Sequence, residues 1–292
     1  MMYLRKDFKE ALDGQGSFEQ VMSIQGEVYR DVAGRRTLRF VRQGKGYFLK
    51  IHSGVGWKEI CKNLIQLRFP VLGAQNERLA IRRLKQLGLE TMQIAGYGKK
   101  GWNPARQRSF IVTAELPETV NLEDFCGQWS RKPPSTPREL SLKRSLIHQV
   151  AGIARKMHEN GINHRDLYLC HFLLDRRAVN IEPLSAVIKL YVIDLHRVQL
   201  RRYTPQRSVV KDIAGLFFSS MDIGLTSRDR LRFMRAYRGK PLRQILERDV
   251  RFRKKVYDKG IKLYHSVYGK HPESPAMTST MSGKTFIAKS AR

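Results

Sequence analysis

The sequence predicts an α+β chain in two lobes: an N-terminal antiparallel sheet with helices, then a mostly helical C-terminal lobe. Three observations carry this. Between Glu27 and Ile51, β-forming runs alternate with glycine turns. From about Leu140 to Glu159, Leu146, Val150, Ile153 and Met157 recur at the spacing of one helical face. After Val120 the strand-rich character gives way to helix-length patterns.

In chain order, Val28-Tyr29, Leu38 with Phe40, and Tyr47-Phe48-Leu49-Lys50-Ile51 read as three antiparallel strands. The turns are Ala33-Gly34-Arg35 and Gly44-Lys45-Gly46. Residues 57–68 read as a helix, with Ile60, Leu64 and Leu67 on one face, basic residues around it and Pro70 ending it. A second helix is expected from about Gln75 to Leu87 on Leu79, Arg83 and Leu87, stopped by Gly88. Thr91–Tyr97 and Ser109–Leu116 are expected strands around a loop from Gly98 to Pro104. A loop at Pro133–Pro137 leads to the long helix, which Asn160-Gly161 closes. Phe172-Leu173-Leu174 and a strand Ile188–Leu195 follow, then helices from about Val209 to Tyr268. The lobes are therefore drawn at 1–116 and 117–270, with 271–292, poor in large apolar groups, as a disordered tail.

The charge is the unusual part of the composition. Lys and Arg total 55 against 26 Asp and Glu, a formal net charge of +29. The basic residues are spread along the chain rather than gathered in a tail, so the whole surface attracts polyanions. Nucleic acid, anionic membrane, a phosphorylated substrate or an acidic protein would all qualify. Cys61, Cys126 and Cys170 form no CxxC pair, and an odd count suggests no disulfide framework, so a reduced, cytosolic compartment is expected. The N-terminus meets Glu10 and Asp13 early and lacks a signal peptide's apolar core. No apolar run approaches a membrane span, which leaves peripheral association as the expected mode at a bilayer.

The sharpest local signal is His164-Arg165-Asp166-Leu167-Tyr168-Leu169-Cys170-His171, directly after the long helix. It resembles the catalytic loop of protein kinases and their small-molecule relatives. A hydroxyl that attacks a phosphoryl group needs a carboxylate to orient it and take its proton, and Asp166 is the candidate. Downstream, Val192-Ile193-Asp194-Leu195-His196 stands where kinases carry Asp-Phe-Gly, making Asp194 the candidate ligand for Mg²⁺ against the ATP phosphates. Upstream, Lys50 ends a strand like the kinase V-A-I-K. Glu77, at the start of the second helix, is its expected ion-pair partner. Backbone groups near Glu115-Leu116 are expected to meet adenine, and Asp212 to support the catalytic loop.

Two departures stand out. His171 occupies the place of the Asn that helps hold a second metal, so it belongs to the cofactor side of the site in a changed role. No full G-x-G-x-x-G is present; only Gly26 and the Gly34 turn could bring backbone N–H groups to phosphates. No A-P-E follows Asp194, which argues against a peptide-phosphorylating enzyme.

Gly46–His52, Pro70–Ala74, Asn163–Asp166, Cys170–Leu174, Val192–Arg197 and Phe217–Thr226 together resemble the lipopolysaccharide core heptose(I) kinase family of Gram-negative bacteria, over roughly residues 5–268. The resemblance implies a protein-kinase-like fold and an ATP- and Mg²⁺-dependent transferase of lipopolysaccharide and outer-membrane biogenesis. It would phosphorylate the first heptose of the inner core from the cytoplasmic face of the inner membrane. The basic surface would then hold an anionic glycolipid in an anionic leaflet, or an acidic partner such as a carrier protein; nucleic acid is not expected. The alternatives are a kinase acting on the second heptose or Kdo, and a pseudokinase-like scaffold, suggested by His171 and the missing glycine loop. A nucleic-acid-binding protein is a third, using Phe233, Tyr237, Tyr257 and Tyr264 among basic residues. Zinc held by His164, Cys170 and His171 matches no common ligand spacing.

Overall fold

A computed structural model describes residues 1–12, 14, 16–32, 34–54, 56–57, 61, 73–177 and 188–272. Most of the expected helix at 57–68, Pro70–Leu72 and nearly all of the expected tail lie outside them. The chain forms two compact units. One comprises Met1–Pro117 together with Asp194–Val198, and the other Glu118–Ile193 and Gln199 onward.

The first unit is built on a six-stranded antiparallel sheet. Its strands are β1 (Met2–Leu4), β2 (Glu27–Val32), β3 (Arg35–Arg42), β4 (Lys45–His52), β5 (Gln93–Lys100) and β6 (Arg108–Ala114), in the order β1-β5-β6-β4-β3-β2. Strand β4 shows why the sequence chose this arrangement. Side chains alternate across a pleated strand, so Tyr47, Leu49 and Ile51 enter the core while Phe48, Lys50 and His52 face the other way. Phe8 and Val21 complete that core from two short helices, α1 (Lys6–Glu10) and α2 (Phe18–Met22). These and β1 were not expected. Helices of one turn carry no readable periodicity, although Ser17 and Gln20 form a capping box that marks α2.

Helix α3 (Gln75–Gln86) corrects the expected face: Leu79 is exposed, and the helix buries Glu77, Ala80, Ile81 and Leu84 instead. A buried carboxylate displaced the apolar stripe from the position that Leu79 suggested. Strand β5 runs to Lys100, three residues into the expected loop.

In the second unit, β7 (Thr119–Asn121), β9 (Phe172–Asp175) and β10 (Leu190–Val192) form a three-stranded sheet, and β8 (Ile162–Asn163) pairs with β11 (Gln199–Leu200). The helices are α4 (Leu122–Gly127), α5 (Pro137–Glu159), α6 (Gln206–Ser219), α7 (Ser227–Arg238), α8 (Leu242–Arg248) and α9 (Val250–Tyr268). Helix α5 begins three residues earlier than Leu140. Thr136 caps it, Glu139 closes the box, and Pro137, lacking an N–H, costs nothing in the first turn.

Helix α5 packs on α7, where Lys143 and Asp229 form a buried pair at 3.0 Å. Burial alone would push the Asp229 carboxyl up, but Lys143 and Thr226 hold it below its usual range. Helix α6 packs on α9, and a Cβ on Gly260 would fall 2.5 Å from the Phe217 ring, so only glycine permits this approach. Tyr237 and Tyr264 are buried, and Tyr257 lies against Phe217. These aromatics serve packing, not the base-stacking role open to them in the sequence.

Candidate active site

The first unit gathers Lys50, Glu77 and Asp194 into one cluster. Strand alternation turns Lys50 away from the core, and its Nζ lies 2.7 Å from Glu77 Oε1 and 3.3 Å from Asp194 Oδ1. Glu77 is fully buried in the first turn of α3, where the helix dipole favours a carboxylate. Asp194 is not strand-borne as expected: β10 stops at Val192, and Asp194 takes a left-handed conformation at φ 56° and ψ 52° before a short turn of 3₁₀ helix. Asn76 holds that turn, its amide donating to the carbonyls of His196 and Val198 at 2.8 Å each. Two further side chains converge on Asp194. His196 Nδ1 is 2.7 Å and Arg35 Nη2 3.9 Å from its Oδ1.

Burial pulls the Arg35 guanidinium below its usual value, with Asp194 and Glu77 partly offsetting this. His52, on the same face of β4 as Lys50, is pushed down to about 4, by burial first and then by Arg35, Lys50 and His196. A histidine whose folded pKa lies below its unfolded value binds fewer protons folded than unfolded. Its penalty is therefore absent above about pH 6.5 and grows as pH falls toward 4. His52→Leu is expected to remove this component. Over that interval the wild type should lose up to about 3 kcal/mol more than the variant in denaturant titrations. Parallel curves would show that His52 protonates freely in the fold.

Glu115 binds Arg39 through both oxygens, at 2.7 and 2.9 Å, and its backbone N–H donates to the Gly46 carbonyl at 2.9 Å. That amide is therefore committed to the sheet edge. The expected adenine-facing role of the Glu115 backbone therefore does not use this N–H, and Leu116 is partly buried. Gly26 is explained by packing: a Cβ there would fall 2.2 Å from the Arg39 carbonyl. Gly34 sits at φ 79° in the β2–β3 turn, directly before Arg35.

The second unit carries Asp166 on a loop braced from beneath. Asp212 of α6 is fully buried, and its carboxylate accepts from the backbone N–H of His164 at 2.7 Å and of Arg165 at 2.9 Å. Its Oδ2 also lies 3.3 Å from His158 Nε2. These bonds hold Arg165 at φ 75° and fix the turn that presents Asp166. Lys211 Nζ lies 3.8 Å from Asp166 Oδ1. The support expected of Asp212 is present in full.

His171 Nδ1 lies 2.6 Å from the Asp166 carbonyl, an acceptor only, so this nitrogen carries the proton and donates. The ring stacks on His164 at 5.5 Å, and His164 Nε2 in turn donates to the Ile193 carbonyl at 2.9 Å. His171 thus braces the backbone of the Asp166 loop through Nδ1. Among the described residues no group of three or more His, Cys, Asp or Glu side chains could hold a metal ion.

The model of the lipopolysaccharide kinase (Kdo/WaaP) family matches residues 19–237. The chain belongs to this family. As a Kdo/WaaP-family member it is an ATP-dependent kinase, and the matched span contains Lys50, Glu77, Asp166, Asp194 and Asp212. It is 50% identical over 264 residues to a Pseudomonas aeruginosa lipopolysaccharide core heptose(I) kinase WaaP, covering 90% of this chain and 96% of that one. It is 49% identical over 246 residues to the protein of that name from Escherichia coli K12, covering 84% and 90%. A solved structure of WaaP in complex with acyl carrier protein superposes with a TM-score of 0.75 at 46% identity, covering 90% of this chain and 99% of that one. The likeness is to a kinase-family structure, in keeping with the expected α+β, protein-kinase-like class.

Sequence reasoning missed Arg35, His52 and His196 in this kinase-family site. Arg35 had one available signal, its place directly after the first hairpin glycine, where a phosphate-facing group was sought. His196 had one too, since its partner Asp194 stands two residues before it in the same motif; His52 had none, because its basic neighbours Arg35 and His196 are set by the fold.

Proposed function

We propose that this kinase transfers the γ-phosphoryl group of ATP to the first heptose of the lipopolysaccharide inner core. The observation carrying this reading is half-identity, over nearly the full length of both chains, to proteins bearing that activity in their name. In the proposed reaction Lys50, kept in place by Glu77, neutralises and orients the nucleotide phosphates. Asp166 accepts the proton of the sugar hydroxyl as its oxygen bonds to the γ-phosphorus and the bond to the β–γ bridging oxygen breaks, releasing ADP. Lys211, its Nζ 3.8 Å from Asp166 Oδ1, places a positive charge beside that carboxylate.

Arg35 Nε and Glu77 Oε2 are buried without a hydrogen-bond partner among the described residues. Such groups are costly; a phosphate oxygen would accept from Arg35 Nε, and a metal-bound water would donate to Glu77 Oε2. The Asp194 carboxylate, a hard oxygen donor, suits Mg²⁺, which typically takes one or two protein carboxylates with waters and phosphate oxygens. When bound, the ion would neutralise phosphate charge. Among the described residues no helix is long and apolar enough to cross a membrane. With a net charge of +29, peripheral attachment to the anionic cytoplasmic face of the inner membrane, where ATP is available, is the proposed location.

An acyl carrier protein is the proposed protein partner, since the solved neighbour was captured with one. The second unit holds an apolar cavity lined by Leu122, Trp129, Leu146, Val150, Leu216 and Phe233, whose chemistry suits an acyl chain. The deciding experiment is transfer of labelled phosphate from ATP to dephosphorylated inner-core lipopolysaccharide, with the labelled sugar identified by mass spectrometry. Label on the first heptose is expected. Label on the second heptose or Kdo would move the acceptor, and nucleotide binding without any transfer would favour a scaffold.

A further inference from the structure

Helices α6 and α9 enclose a surface groove of about 450 Å³ lined by Gln206, Arg207, Val210, Lys255, Asp258, Lys259 and Lys262. Its charge is one-sided. Asp258, the sole acid in the lining, is already bound by Lys254 at 2.8 Å outside the groove. Arg207, Lys255, Lys259 and Lys262 have no carboxylate partner among the described residues. On α9, Lys255, Lys259 and Lys262 fall at i, i+4 and i+7, a single stripe in which like charges repel and weaken the helix. Among the described residues the one carboxylate lining the groove, Asp258, is already paired with Lys254; an anionic ligand would offset the remaining repulsion.

The groove is coupled to the catalytic loop through α6. Arg207 and Lys211 stand one helical turn apart on the same face, and the Lys211 ammonium lies 3.8 Å from the Asp166 carboxylate. A hydroxyl presented to Asp166 would therefore sit beside the basic end of α6, with the groove one turn further along. One turn advances about 5.4 Å, a length comparable to a sugar residue.

We propose that the α6–α9 groove binds the anionic groups flanking the acceptor sugar, so that Arg207, Lys255, Lys259 and Lys262 set the register in which one hydroxyl reaches Asp166. The proposal rests on the reading that the acceptor is an acidic glycan. The anion would be a carboxylate of a neighbouring acidic sugar or a phosphate toward the lipid end. These share the chemistry of an oxyanion held by several cations.

The test uses the full chain with a lipid-free inner-core oligosaccharide, comparing wild type with Lys255→Glu/Lys259→Glu. Both positions are exposed on a helix, and thermal melts verify folding. The acceptor KM, and the Kd from calorimetry, are expected to rise about tenfold or more, with kcat and the KM for ATP unchanged. Carboxyl-reduced and dephosphorylated oligosaccharides identify the anion: the one that abolishes the difference between the two proteins carries it.

Arg144→Glu/Arg235→Glu, in a separate basic groove between α5 and α7, removes the same charge elsewhere and is expected to leave the acceptor KM alone. An unchanged acceptor KM in the α9 variant, or an equal rise in the α5–α7 control, overturns the proposal. So does a loss confined to binding of phosphatidylglycerol vesicles, which would make the groove a membrane contact. Wild-type oligosaccharide binding without phosphate transfer would overturn the acceptor reading while the Kd comparison still decides the groove. No wild-type binding at all overturns both.

Discussion

Asp166→Asn is expected to fold as the wild type does and to lose about 10²–10⁴-fold in kcat. The loss follows from chemistry: an amide neither accepts the proton of the attacking hydroxyl nor carries the charge that steadies it as it departs. Folding should survive because the bond that anchors this position runs from His171 to the Asp166 backbone carbonyl, which the substitution keeps. The Lys211 contact, at 3.8 Å and partly exposed, adds little stability. Phosphate transfer at saturating ATP and acceptor, with the melting curve recorded on the same sample, checks both halves. Near-normal turnover in a folded variant would remove Asp166 from the mechanism.

The second large effect is on stability. Asp212→Ala strips the partner from two backbone donors, the buried His164 N–H and the partly buried Arg165 N–H, and also ends the contact to His158. A buried donor left unpaired costs about 1–3 kcal/mol, so the variant should lose about 2–5 kcal/mol in denaturant titration. Arg165 would lose the bond that holds it at φ 75°. Turnover should fall with the loop's geometry even at temperatures where the variant stays folded. Asp212→Asn keeps one acceptor oxygen and should fall between. If the alanine variant melts with the wild type, the loop is held by other means.

The fold was legible wherever one residue's neighbours in sequence are also its neighbours in space. The three strands from Glu27 to Ile51 and the long helix ending at Glu159 belong to that class; Lys50, Glu77, Asp166 and Asp194 were legible through the short motifs that carry each of them in order, although Lys50 meets Glu77 and Asp194 from 27 and 144 residues away. What the sequence hid depends on distant partners or on backbone torsion. Arg35 looks like any basic residue until Asp194 is brought beside it. The expected strand through Leu195 fails because Asp194 turns left-handed, and Val-Ile-Asp-Leu gives no sign of it. Leu79 misled because α3 turns inward the carboxylate that Lys50 needs.

Residues Asp194–Val198 belong to the first unit although the chain reaches them only after most of the second unit's loops and sheet have been made. During synthesis the first 117 residues emerge with Asn76 lacking the two carbonyls it binds and Lys50 lacking one of its two carboxylates. The missing stretch ends 81 residues later, at Val198, a wait of roughly 4–16 s at about 5–20 residues per second. The N-terminal unit therefore matures out of chain order, and a fragment cut at Pro117 would leave the nascent phosphate-facing cluster permanently incomplete.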